Sequence, residues 1–211
     1  MKIAHRPPWL VADLGAEMRV LSWATHNGGL ASARTVAWLG VRNADLTPEL
    51  DVETWLKAEC AGADLSDAVT MLTSRDLAHH HTASHRAGSV AVECLATVGL
   101  GNSERIGHRA GKTAPAGTIN ILAIVQPGLN ETAMYEALTI AAEARTLAIV
   151  EAGRMVTTGV ATGTGTDCIA IASPVGDLHH AGKHTDVGEA LGRAVYKADS
   201  AGAVEWMKAQ G

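Results

Sequence analysis

Residues 118–125 read Thr-Ile-Asn-Ile-Leu-Ala-Ile-Val, apolar at nearly every position. A continuous apolar run of this length fits a strand buried on both faces rather than one with a wet side. Downstream, Glu131–Val150 places Met134, Ala137, Leu138, Ala141, Ala142 and Ala148 on one stripe, with Glu136, Thr139, Glu143 and Thr146 opposite. That is the periodicity of an amphipathic helix. Asn130 is its natural N-cap, and Gly153 lies just beyond its end. A Gly/Thr-rich loop, Thr157–Thr166, leads into a second apolar strand at Cys168–Ser173. Strand, helix, strand over 118–173 has the form of a βαβ unit.

Working outward, strands are expected at Arg19–Ala24, Val69–Thr73 and Ser89–Val98, and helices at Val52–Cys60 (after Thr47-Pro48) and Val187–Asp199. The early strands have too few helices between them for a regularly alternating α/β chain. The expectation is an α+β single domain over 1–211, with a mixed sheet packed against helices, or alternatively a layered α/β sandwich.

At 211 residues, with 47% hydrophobic and 18% charged residues, the chain buries enough surface to fold without metal or disulfide. A net charge of −5 and an aromatic content of 3% argue against a nucleic-acid partner. Cys60, Cys94 and Cys168 form no C-x-x-C pair and read as core residues in a reducing compartment. The N-terminus shows no secretory h-region, and the uncharged stretches are broken by Pro, Gly, Asn and Gln, so the expected location is cytoplasmic with no membrane partner.

Several segments could carry chemistry. The loop Gly159-x-x-x-Gly163-x-Gly165-Thr166-Asp167 precedes a strand and lacks a Gly-Lys-Ser/Thr ending, so a P-loop is excluded. It reads either as a tight turn closed by Asp167 or as backbone N–H groups and Thr hydroxyls lining a polar pocket. Asn27-Gly28-Gly29 is a hairpin signal whose backbone could also approach a ligand. The histidines cluster at His79-His80-His81 with His85, and at His179-His180 with His184. His81 and His85 have a zinc-compatible helical spacing, but Thr82, Ser84 and Gly88 favour a solvated loop there. His184 precedes the last helix, where Asp186 and Glu189 have capping-box spacing. At that position it reads either as a general-base candidate or as a surface histidine.

Six segments, taken in order and spacing, resemble the adenosylcobinamide amidohydrolase family of corrinoid salvage. They are Ser22-Trp-Ala-Thr-His-Asn-Gly-Gly29, Ala96-Thr-Val-Gly-Leu-Gly-Asn102, Gly117-Thr-Ile-Asn120, Leu129 to Met134, Ala161-Thr-Gly-Thr-Gly-Thr-Asp167 and Ala181-Gly-Lys-His-Thr185 with Gly188-Glu189. The likeness runs from about 20 to 198. It implies hydrolysis of the amide joining a corrin propionyl side chain to aminopropanol, giving adenosylcobyric acid and 1-aminopropan-2-ol. The histidine stretch 79–85 falls outside the shared pattern, and Trp23 and Thr25 stand where smaller residues are expected.

Amide hydrolysis needs an activated nucleophile, oxyanion donors and an acid for the leaving amine. The shared segments offer His184 as general base or acid and Asp167 to orient it or the substrate. Asn27, Asn102, Asn120, Thr164 and Thr166 are candidates for bonds to corrin amides and the oxyanion, joined in substrate binding by Gly28, Gly29, Thr97, Thr118, Thr162, Gly163, Gly165 and Thr185. Asn27-Gly28-Gly29, the 159–167 loop and His184 are expected to converge on one cleft. No metal or cofactor is assigned, the corrinoid being the substrate, and a homo-oligomer is possible. Thr118 after Gly117 suggests hydrolases that cleave their own chain to free a threonine, but β-propensity alone accounts for it. The expectation is therefore an intact chain using His184. The rival readings are a non-catalytic corrinoid binder and a zinc hydrolase built on the histidine clusters.

Overall fold

The computed structural model describes residues 1–108 and 117–210. The elements run β1 (Lys2–Arg6), β2 (Trp9–Ser22), β3 (Gly29–Gly40), α1 (Val52–Gly62), β4 (Val69–Thr73), β5 (His80–Ala87), β6 (Val90–Val98) and the short β7 (Ser103–Glu104). Then follow β8 (Ile119–Gln126), α2 (Glu131–Ala152), the short β9 (Met155–Val156), β10 (Gly159–Val160) and β11 (Gly163–Thr164), then β12 (Cys168–Ser173) and α3 (Asp186–Gln210). An eight-stranded mixed sheet in the order β4-β3-β2-β12-β8-β6-β5, with β1 beside β2, packs against helices as one α+β domain.

The apolar run at 118–125 becomes β8, buried along seven of its eight residues. It lies between β12, which it pairs in parallel from Cys168↔Asn120, and β6, which runs antiparallel. On one face Ile119, Ile121, Ala123 and Val125 meet α2 and α3; on the other Leu122 and Ile124 join Trp38, Met71 and Leu95. Each such Ile or Leu contributes about 1.5–3 kcal/mol by leaving water. The Asn130 side chain caps α2 by accepting from Ala133 N at 2.8 Å, and Gly153 ends it in the left-handed region. Edge strand β4 reaches across the second face to β8, where Asn120 Nδ2 donates to the Leu72 carbonyl at 2.8 Å.

Three expectations change. Residues 80–87, expected as a solvated loop, are the edge strand β5, because His81, Ala83 and His85 alternate toward α3 and are half-buried. The strand expected at Arg19–Ala24 is only the end of a fourteen-residue strand. It is joined to β3 by the loop that holds Asn27, which lies at φ 53°. The cap of α3 is Thr185, whose hydroxyl accepts from Gly188 N at 3.0 Å, rather than an Asp186–Glu189 box.

Candidate active site

Where β8 and β12 begin and β2 ends, the sheet opens into a cleft of about 520 Å3. Its wall includes Asn102, Gly117, Thr118, Asn120, Thr166 and Asp167. Trp23 and Thr25 from the β2–β3 loop and Thr73 and Ser74 at the end of β4 add to it. The N-termini of adjacent parallel strands converge here because the βαβ unit puts β8 and β12 side by side.

Asp167 organises the site. Its carboxylate accepts from Ile119 N at 3.2 Å, Thr164 N at 3.0 Å and the Thr164 hydroxyl at 2.5 Å, and it pairs with Arg145. It thereby fixes the start of β8 to the 163–167 turn. Burial pushes this carboxyl up from its ordinary value, opposed by Arg145 and the Thr164 donors. A Cβ on Gly163 would run into the Arg145–Asp167 pair, so a larger residue there would have to displace it. Behind it lies Asp199 of α3, fully buried, with neither carboxylate oxygen partnered among the described residues. Burial pushes its carboxyl well above the usual carboxylate range.

Around the Gly117–Thr118 peptide the hydroxyls interlock. The Thr118 hydroxyl donates to the Thr166 carbonyl at 2.7 Å, and the Thr166 hydroxyl donates to the Gly117 carbonyl at 3.3 Å. Asn102 Nδ2 donates to the Thr166 hydroxyl at 3.4 Å. A Cβ on Gly117 would stand 2.6–2.8 Å from backbone atoms of Gly99, Gly101 and Asn102, so this peptide is held by close backbone approach. Asn120 is fully buried; its amide nitrogen serves Leu72, while Oδ1 has no partner among the described residues. A buried acceptor left without a donor is costly, and one on a cleft wall is a place for a ligand N–H. Burial pushes the Cys168 thiol up to about 12, which leaves no thiolate for nucleophilic attack.

A family model for adenosylcobinamide amidohydrolase matches residues 1–211. The chain belongs to that family. The amidohydrolase match thus extends past the segments that carry the sequence resemblance. Among solved structures, the PH0078 protein from Pyrococcus horikoshii OT3 is 11% identical, covering 93% of this chain and 77% of its own, with a TM-score of 0.47. A Burkholderia sp. beta-aminopeptidase is also 11% identical, covering 95% and 78%, with a TM-score of 0.47. No curated protein matches the chain.

Within this amidohydrolase-family fold, Asn102, Thr118, Asn120, Gly165, Thr166 and Asp167 share the cleft. Thr162, Gly163 and Thr164 line an adjoining recess of about 270 Å3 that shares Gly165 and Asp167 with it. There Thr162 accepts from Ile106 N at 2.8 Å. Thr97 is buried directly across the ladder from Asn120, behind the wall. Asn27, Gly28 and Gly29 sit on the rim loop, and the Asn27 amide is engaged with the Ser66 and Ala68 carbonyls at 3.0 and 3.1 Å. His184 and Thr185 do not join them. Asp186 packs against Gly88 in the β5–β6 turn, beside the end of β6 where Ala91 pairs with Gln126. This is the far end of an eight-residue strand, roughly 25 Å from the cleft. His184 is exposed there.

Sequence reasoning missed Trp23 as a site residue: its indole nitrogen donates to the Asp167 carbonyl at 2.6 Å while 49% of the residue stays exposed on the rim. Thr73 and Ser74 carried no motif at all. The histidine cluster turns inward on Glu205, with His79 Nδ1 at 2.5 Å and His81 Nε2 at 2.6 Å. Among the described residues no group of three metal-ligating side chains is placed to hold an ion. No helix among them is long and apolar enough to cross a membrane.

Proposed function

We propose that this cleft hydrolyses the amide that joins a corrin propionyl side chain to aminopropanol in adenosylcobinamide, releasing adenosylcobyric acid and 1-aminopropan-2-ol. The observation that carries the reading is Asn120: a fully buried carboxamide on the cleft wall whose Oδ1 lacks a donor among the described residues. A secondary amide entering beside Thr118 offers its N–H to that oxygen. Its carbonyl then turns toward Asn102 Nδ2, whose second N–H is a donor suited to the negative charge that grows on it during attack. Asp167 is a positioning residue, because its ion pair and backbone bonds fix Thr118 and Thr166 without leaving it free to carry protons. The cleft takes the side chain only. The corrin ring stays outside, against the exposed face of Trp23 and the Asn27-Gly28-Gly29 loop, where aromatic stacking covers it.

Incubation with adenosylcobinamide, followed by mass spectrometry, tests this. The expected result is adenosylcobyric acid and 1-aminopropan-2-ol in equal amounts. A visible-spectrum shift without release would mark a corrinoid-binding protein instead, and release abolished by a chelator would return the chemistry to a metal.

A further inference from the structure

The described residues give the cleft a nucleophile candidate and no free base. Among the described residues that line it, Asp167 and Cys168 alone can titrate. Both oxygens of Asp167 are engaged, by Ile119 N and the Thr164 hydroxyl on one and by Arg145 and Thr164 N on the other. The Cys168 thiol does not ionise near neutrality. Histidines near the cleft are committed elsewhere: the His26 ring bonds the Ser66 carbonyl at 2.9 Å, and His184 is at the other end of the sheet. Among the described residues, then, no side chain is free to take a proton from a hydroxyl in this cleft.

The Gly117–Thr118 peptide supplies what is missing. Its carbonyl is polarised by the Thr166 hydroxyl, its glycine is clamped by Gly99, Gly101 and Asn102, and the following Thr118 side chain stands at the cleft wall. We propose that the chain cleaves its own Gly117–Thr118 bond, and that the freed Thr118 is the nucleophile, with its new α-amino group as the base. The proposal rests on the reading of this cleft as hydrolytic. In the first step Thr118 Oγ adds to the Gly117 carbonyl carbon, and the C–N bond breaks as the hydroxyl proton passes to nitrogen. Water then hydrolyses the resulting ester to a Gly117 carboxylate and a free Thr118 hydroxyl. This has to occur once per molecule, so a slow unassisted shift suffices. In turnover the amine, with an ordinary pKa near 8, takes the hydroxyl proton. Thr118 Oγ attacks the substrate carbonyl carbon, the amine product leaves with the proton, and water cleaves the acyl ester.

The fold is arranged to survive the cut. The second fragment contributes β8 and β12, which lie between β6 and β2 of the first. Two chains would stay interleaved in one sheet.

Intact mass spectrometry of the purified protein under denaturing conditions tests the proposal without any substrate. Fragments 1–117 and 118–211 are expected, co-eluting as one particle under native conditions. Thr118→Ala should give a single full-length species with no amide hydrolysis, and Thr118→Ser should still cleave. A single full-length wild-type species overturns the proposal whatever its activity. If that species still releases aminopropanol, the substrate reading stands alone. Two fragments without release leave the cleavage standing and remove the substrate reading.

Discussion

Asp167 and Asp199 show how the same side chain takes opposite roles within one buried network. Asp167 faces Arg145 and three further donors and acts as an ionic clamp between β8 and the 163–167 turn. Asp199 has no hydrogen-bond partner among the described residues, and burial holds it well above its ordinary value. The folded state therefore favours its protonated form. That preference adds stability below the usual carboxylate pKa of about 4, and the gain is lost as pH rises toward the folded value. Asn cannot titrate. Unfolding free energies measured by denaturant for Asp199→Asn and the parent should therefore move in the variant's favour between about pH 4 and pH 8. A difference that stays flat across this range would show Asp199 to be ionised in the native protein. Sequence reasoning could name Asp167, because a Gly/Thr turn closing on an acid is a local pattern. Its partner Arg145 sits on the polar side of a helix pattern, and Asp199 lies where the last helix was expected to end, so nothing local marked either.

The elements that were legible are those whose apolar pattern matches their burial. β8, α2 and β12 read directly, since a doubly buried strand and a capped amphipathic helix each have an unambiguous pattern. β5 did not read, because its inner face is made of His and Ala rather than of large apolar residues, with His81 bonded to Glu205 of α3. Most of β2 and all of β3 escaped because long-range pairing, from Trp9↔Leu39 to Ser22↔Gly29, stabilises them more than local propensity does. The Gly182–Thr185 segment lies away from the cleft that the other candidate residues line. Thr185 reads as a substrate contact by resemblance, and the structure uses it to cap α3. Thr185→Ala should lower unfolding free energy by about 1 kcal/mol with kcat/KM unchanged. A large fall in kcat/KM at unaltered stability would restore the segment to the site.

For the molecule as a whole, topology puts the cleft at one end of the sheet and the His179–His184 loop at the other. Linear spacing could not reveal that separation. Residues 117–120 and 161–167 meet because β8 and β12 are parallel neighbours, and Trp23 joins them through the antiparallel pairing of β2 with β12. His184, twenty residues further on, is carried away by the full length of the sheet. The most direct measurement is therefore a comparison of kcat/KM on adenosylcobinamide for Asn102→Ala and His184→Ala, each checked for retained fold by circular dichroism. Loss of one oxyanion donor typically costs about 10²–10³-fold, and that is the fall expected for Asn102→Ala, with His184→Ala within about twofold of the parent. A His184→Ala enzyme slowed by about 10²–10⁴-fold, the usual loss of a general base, beside an Asn102→Ala enzyme of normal rate, would contradict the placement of the active site in this cleft.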